Sequence, residues 1–492
     1  MRPYRPFRFP AARSVVAAAA LLACAGAASA QSSYLQSLVN ATAAGSWTQV
    51  NAGALSSSFV TDPSLLPTSL IYQPQNVVYA WSSMAWDSLR GNLMLWGGGH
   101  SSHSGNEMYL WSGSSGNWSL GSLPSAVINA PDSADADNRT YLVADNAAPQ
   151  SSHTYEGNLY LPLNDRFITF GGVAFNDAQG FTTRDASGAL VTAGPWLYDP
   201  SKASATQVGG TTGSGWDSTT TGGQMWTNRV SSVTWIGTAP ASISFINNTT
   251  AYHEENGHDV VYLTAYSGGG WPSLYRYTVG NLAAGEGDTF ELIGVSSNVP
   301  SLQASGTIDD THSLYVHTTT HPSTTYDLNV WDLTQSGSGN ADVGISLVLA
   351  GTGAAFDIDE NYAVEWNSAD GYLYLWGGDG GQVYRTKATY NADGSLATTW
   401  TLESLLSAGS EPEGSFRYGV LGKWTYVESL GVFVALDEYD TATGDAGVWI
   451  YKPDTYVPTA GAAGVVPEPA TVAMMLAGLG VVGARVRRTR RG

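Results

Sequence analysis

One pattern recurs along the chain between Trp47 and Pro453, and it restricts the fold more than any other feature. A strand ends in a turn, a second strand ends in Gly-Gly, a third carries Tyr or Trp, and a fourth carries Trp. The clearest copy runs from Tyr79 to Gly121. There Asp87–Gly91 make the first turn, Gly97, Gly98 and Gly99 end the second strand, Tyr109 lies in the third and Trp118 in the fourth. A second copy uses Asn164-Asp165 as its turn, reaches Gly-Gly at Gly171 and Gly172, and continues through PWLYDP to Pro200. Further copies start at His258, Thr311, Ala363 (closed by Trp400) and Lys423. Glycine permits the sharp exit from a strand, and large aromatic side chains fill the wedge between neighbouring sheets. With 57 Gly, 17 Trp and 26 Tyr among 492 residues, and only 13% charged residues, the composition fits an all-β chain rich in tight turns.

This Gly-Gly, Tyr, Trp order resembles the kelch repeat of galactose-oxidase-like propellers. The resemblance implies a kelch-type β-propeller of six or seven four-stranded blades over residues 31–453. A seventh blade would lie near Thr221–Ile246, where MWTNRVSSVTWIG has strand character. The isolated strand SWTQV, Ser46 to Val50, has no partner of its own and is expected to supply the outer strand of the last blade, closing the ring. The Thr/Gly/Ser-rich stretch from Val208 to Gly223 reads as an insertion.

The two ends are addresses. Arg2, Arg5, Arg8 and Arg13 precede an apolar segment and then Ala28-Ser29-Ala30, the pattern of a signal peptide over residues 1–30. The single cysteine, Cys24, falls inside it, so the exported chain is expected to have neither thiol nor disulfide. At the other end, a small-residue linker (454–465) leads to Val466, Pro467, Glu468 and Pro469. An apolar run to Val486 and the cluster Arg485, Arg487, Arg488, Arg490 and Arg491 follow. This tail, 466–492, resembles the PEP-CTERM sorting signal of exopolysaccharide-producing Gram-negative bacteria. It implies a C-terminal transmembrane sorting helix and an exosortase-type protease as partner. It also implies export through the inner membrane, with delivery to the cell surface or extracellular matrix.

Net charge is −20. Nine of the 21 basic residues and one of the 41 acidic ones lie in the two ends, which leaves the body near −28. Such a body repels nucleic acid and anionic membrane, and it repels strongly anionic polymers too unless a local basic site or cations intervene. The expected partner is extracellular polysaccharide, with membrane contact only through the C-terminal helix before processing.

In a propeller, the two-to-three loops share one face with the segments that enter each blade, and that face is a usual binding site. On it fall His100, His103 and Glu107, then His153 and Tyr155, His321, then Asp357, Asp359 and Glu360, and finally Arg417 and Tyr418. His253, His258 and His312 fall near the opposite turns and read as structural. A copper-radical site of the galactose oxidase type would need a Cys cross-linked to Tyr, so that cofactor is not expected. Some propeller lyases pair a His or Tyr base with a cation on the uronate carboxylate. By that resemblance His153 or His100 would be the base, Tyr155 the acid and Arg417 the carboxylate partner. A divalent-metal variant would use His100, His103 and His153. The leading expectation is carbohydrate binding or matrix scaffolding, with Trp271, Tyr418 and Tyr439 available to stack on sugar rings. Asp132, Asp135 and Asp137 form an acidic loop without the full pattern of a calcium loop.

Overall fold

A computed structural model describes residues 33–456, apart from 101, 131–139, 145, 186, 212–220, 268–270, 297–302, 320–325, 360–361, 378–379, 406, 408 and 415. The signal-peptide segment, the sorting tail, the acidic loop at Asp132–Asp137, His321 and Glu360 lie outside the described residues. The described residues all fall in one compact unit. Among the described residues, no helix is long and apolar enough to cross a membrane.

The fold is all-β and propeller-like. The first sheet is built from Met84–Asp87, Asn92–Leu95, Tyr109–Ser112 and Trp118–Leu120, each antiparallel to the last. The second uses Asn158–Leu161, Arg166–Thr169, Trp196–Tyr198 and Trp226–Asn228. The third runs Thr250–Glu255, His258–Ser267, Pro272–Thr278 and Asp288–Val295. The fourth starts at Gly306–Asp309 and ends at Val343–Leu349; the fifth starts at Ala363–Asn367 and ends at Thr399–Leu405. Their outer strands pair in parallel, which joins the two edge to edge. The sixth runs Trp424–Val427, Val432–Asp440 and Asp445–Lys452. It is completed by Ser46–Gln49, which pairs antiparallel in the register Ser46 to Lys452. The first strands of these sheets lie side by side in a ring, and Trp424–Val427 returns to Met84–Asp87.

The N-terminal strand therefore closes the ring, as the sequence led us to expect. Trp47 packs 5.2 Å from Trp376, 5.5 Å from Trp424 and 5.2 Å from Tyr451, and its indole N–H donates to the Gly381 carbonyl at 2.7 Å. The expectation of a further sheet near Thr221–Ile246 is corrected. Trp226–Asn228 is the outer strand of the second sheet, Val233–Ile236 extends the third in parallel, and Ile243–Ser244 pairs with His258–Ser267. The segment is spent on its neighbours' edges.

Wedges between sheets hold the core. Met94, Trp96, Phe167 and Trp226 fill the gap between the first and second sheets. Trp376, Trp424 and Phe433 fill that between the fifth and sixth. Asp87, Asp309 and Asn367 end the first strand of their sheets; the Asp87 and Asp309 side chains each accept two backbone N–H groups of the following turn, and that of Asn367 accepts one. These repeated turns fix one rim, and the loops entering each first strand form the other.

Candidate functional site

The entering loops bring a connected cluster together on that second rim. His100 follows the glycine exit of the first sheet. The strand Ser152–His153 pairs antiparallel with Val173–Ala174, and Tyr155 comes two residues later. Close passage of these segments explains two glycines. A Cβ at Gly99 would lie 2.3 Å from the Ser151 carbonyl carbon, and one at Gly172 would lie 2.0 Å from the His153 oxygen. Only glycine lets the loops approach so closely.

The side chains form a column. The Arg417 guanidinium lies 5.1 Å over the Tyr418 ring. Tyr418 stacks on Trp81 with centroids 3.6 Å apart. Trp81 packs 4.6 Å from His153, and His153 meets His100 edge-on at 5.3 Å. His100 Nε2 bonds Asp177 Oδ1 at 2.9 Å, and Tyr155 stands edge-on to His153 at 6.2 Å. With its amide turned to satisfy both neighbours, Gln303 donates to the Tyr418 carbonyl at 3.2 Å and accepts from the Trp81 indole at 3.1 Å. Arg417 is exposed, while His100 and Asp177 are about one third exposed. His153 and Tyr155 lie buried beneath.

Backbone strain concentrates here. Trp81, His100, Tyr155, Asp177 and Gln303 all have positive φ, at 44°, 59°, 51°, 58° and 57°. Bulky side chains in that region cost on the order of 1–3 kcal/mol each, and such strain gathers at functional sites. A buried lysine links two of these loops. Lys423, itself buried, donates from Nζ to the Ser82 carbonyl at 3.2 Å and the Gly419 carbonyl at 3.1 Å. It thereby ties the loop bearing Trp81 to the loop bearing Tyr418.

Burial, helped by His100 nearby, pushes the His153 imidazole down to about 3, so it is neutral at physiological pH. Burial, with Tyr266 nearby, pushes the Tyr155 phenol up to about 12, so it keeps its proton. The buried Lys423 amine is lowered to about 8, with Glu438 opposing the shift. His153 and Tyr155 are thus an uncharged acceptor–donor pair. His100 has one ring nitrogen held by a carboxylate, the arrangement that orients a base.

The structure brings His100, His153, Tyr155 and Arg417 into one cluster and leaves His103 out. His103 is fully buried. Its Nδ1 accepts from the Gln73 N–H at 3.1 Å, and its Nε2 faces Glu107 Oε1 at 3.0 Å. Both nitrogens are spent, no lone pair remains for a cation, and the expected metal set of His100, His103 and His153 does not form. Among the described residues, no three His, Cys, Asp or Glu side chains converge as a metal would require. Glu107 lies with His103 inside the protein, taking a hydrogen bond from Tyr109 at 2.7 Å.

The aromatic expectations divide. Tyr439 is core, packed against Phe59 and Tyr79. Tyr418 is stacked on Trp81, with the Arg417 guanidinium over its ring. Trp271 is exposed. Asp357 and Asp359 are exposed as well. On the opposite rim, His253, His258 and His312 each face a carboxylate. Arg166 braces Asp199 at 3.2 Å. Sequence reasoning missed Trp81, Asp177, Gln303 and Lys423. Trp81 carried a usable signal, because it precedes its first strand as Tyr155 and Tyr418 precede theirs.

Comparison with known proteins adds the following. Residues 465–491 match the PEP-CTERM protein-sorting motif. No curated protein matches the chain. Among solved structures, a candidate glycoside hydrolase from Parabacteroides distasonis ATCC 8503 is 9% identical, over 42% of this chain and 86% of that one, with a TM-score of 0.17. A structural genomics protein of unknown function from Bacteroides thetaiotaomicron VPI-5482 is 8% identical, over 72% and 83%, with a TM-score of 0.22. The C terminus thus carries a substrate signal for exosortase-type processing, which marks an exported bacterial protein sorted to the cell surface.

Proposed function

We propose that this is a six-bladed kelch-type propeller, held at the surface or in the matrix of a Gram-negative bacterium, that binds an extracellular polysaccharide through its entering-loop rim. The favoured ligand carries carboxylates. The observation that carries this reading is the column itself, with an exposed guanidinium at one end and the His100–Asp177 pair at the other. Arg417 supplies a planar donor fork for a carboxylate. His153 and Tyr155 lie beneath that surface, uncharged; His153 packs against Trp81 and His100, and Tyr155 against His153, which holds the column in place. Binding is favoured over cleavage because a base whose conjugate acid sits near 3 has little drive to take a carbon-bound proton.

A second reading has its own support. His100 is partly exposed, is oriented by Asp177, and shares the column with His153, which Tyr155 touches, and with Arg417 at the far end, the residue types a uronate lyase needs. The reaction would remove the proton α to the carboxylate and expel the glycosidic oxygen.

The test is to incubate the full-length protein with neutral and uronic-acid polysaccharides and follow retention and ultraviolet absorbance. Retention of acidic polymer without new absorbance supports binding. Absorbance from unsaturated uronates, abolished by His100→Ala, replaces binding with elimination. Neither outcome with any polymer rejects both.

A further inference from the structure

The Lys423 ammonium lies beneath the rim and reaches two of its loops at once. It donates to the Ser82 carbonyl, one residue past Trp81, and to the Gly419 carbonyl, one residue past Tyr418. It also stands 5.4 Å over the ring of Phe416, which directly precedes Arg417. Both loops are strained, with φ of 44° at Trp81 and 52° at Leu421. A neutral clasp joins them as well. Gln303, from the segment entering the fourth sheet, bonds the Trp81 indole and the Tyr418 carbonyl. The aromatic stack under Arg417 is thus fastened twice, once by an amide and once by a charge.

Ring closure does not need that charge. The Met84 N–H donates to the Gly422 carbonyl at 3.0 Å, which joins the first and sixth sheets without it. Among the described residues no carboxylate forms an ion pair with Lys423, and a buried ammonium held by carbonyls alone costs stability. A local choice that costs stability without serving the fold is characteristic of a functional site.

We propose that Lys423 is the positioning residue of the rim: its ammonium holds the Trp81 and Tyr418 loops so that Arg417 is presented to a carboxylate, and carboxylate binding is coupled to the lysine proton. This rests on the carboxylate reading of the rim. Hydrogen bonds from a charged donor are roughly twice as strong as those from a neutral one, so loss of the proton slackens the tie even though the amine keeps two N–H groups. The charge also favours an anion at the surface of an otherwise acidic body.

The titratable groups packed about this amine are few. Glu438, with Asp437 beside it, faces it from Val432–Asp440; Glu156 approaches the adjacent Gly422; Arg417 and Tyr418 belong to its own loop. Burial lowers the amine to about 8, with Glu438 opposing the shift. A bound carboxylate favours the ammonium and raises it again. At pH 7 the amine is charged with or without ligand, and little proton moves. Just above pH 8 the free protein has lost part of that proton, and binding takes it back.

Calorimetry with polygalacturonate on the full-length protein, in two buffers of different ionisation heat, tests this. With the charged tie worth about fivefold in affinity, binding should weaken about fourfold from pH 7 to 9.5, with uptake of roughly 0.4 proton near pH 8.3. Lys423→Met should bind about fivefold more weakly at pH 7 and show neither the pH dependence nor the uptake. Gln303→Leu should weaken binding and keep both. Near-ultraviolet circular dichroism of the free protein reports the stack of Trp81 on Tyr418, and should shift between pH 7 and 9 in the wild type but not in Lys423→Met. Wild-type affinity that is flat with pH, which needs no variant to see, overturns the proposal and leaves carboxylate binding in place. Uptake that survives Lys423→Met does the same. If the wild type binds no polygalacturonate, the carboxylate reading falls, and the dichroism decides on Lys423: identical wild-type signals at pH 7 and 9 reject its hold on the stack.

Discussion

Lys423 gives the sharpest test of the electrostatics beneath the histidine cluster. Its residue is 2% exposed, and its ammonium is held by two neutral carbonyls. Burial lowers the amine from 10.5 to about 8, so the fold binds that proton less tightly than the unfolded chain does. Below about pH 8 both states carry the charge, and the fold bears the full cost of burying it. Above about 10.5 both states are neutral and the cost is gone. Between those limits the unfolded state binds more protons, so this group makes the fold more stable as pH rises. The shift corresponds to about 3 kcal/mol at 1.36 kcal/mol per unit. Lys423→Met keeps the apolar stem, removes the charge and leaves the Ser82 and Gly419 carbonyls short of a donor. That loss, on the order of 1–3 kcal/mol per carbonyl, does not depend on pH. Urea unfolding of both proteins, followed by tryptophan fluorescence at about pH 7, 9 and 10.5, isolates the amine. Buried tyrosines titrate alike in the two and cancel. Relative to the variant, the wild type should gain about 3 kcal/mol across that range. A difference that stays flat, or falls with pH, would refute the buried-ammonium account.

Other consequences follow from the same geometry. His153 should keep the nitrogen chemical shifts of a neutral imidazole from about pH 5 to 8, and an NMR midpoint near 6.5 would mean that its burial is misjudged. Trp47→Ala removes packing against Trp376, Trp424 and Tyr451 and the bond to Gly381, and should cost about 3–5 kcal/mol in denaturant unfolding. A loss under about 1 kcal/mol would show that the closing strand contributes little. Deleting residues 465–491 should leave an exported chain that is neither processed nor held at the surface, as read by cell fractionation and immunoblot. Surface retention of the deleted protein would assign sorting elsewhere.

Much of the fold was legible because a propeller repeats one local unit. Turn glycines, alternating strands and wedge aromatics mark each sheet, and an unpartnered Trp47 strand had one place to go. The rim positions of His100, His153, Tyr155 and Arg417 followed from counting strands, since the first strand of each sheet points the same way. What failed depended on paths between sheets. His103 sits three residues after His100, yet its loop turns inward, where Gln73 and Glu107 take both ring nitrogens. Tyr439 looked like a rim aromatic, but the segment around Phe59 and Tyr79 folds over it. The second sheet takes its outer strand, Trp226–Asn228, from far beyond Tyr198, and so the sequence there mimics a further repeat. Asp177 reaches His100 only because Val173–Ala174 pairs with Ser152–His153, a long-range register that no local pattern encodes.

The central claim is that the rim with Arg417 and His100 recognises a carboxylated polysaccharide. Affinity electrophoresis of the full-length protein through gels containing a uronic-acid polymer or a neutral one tests it most directly. The account predicts retardation by the uronic-acid polymer alone, largely lost in Arg417→Ala. Equal retardation by the neutral polymer, or retardation untouched by that substitution, would contradict it.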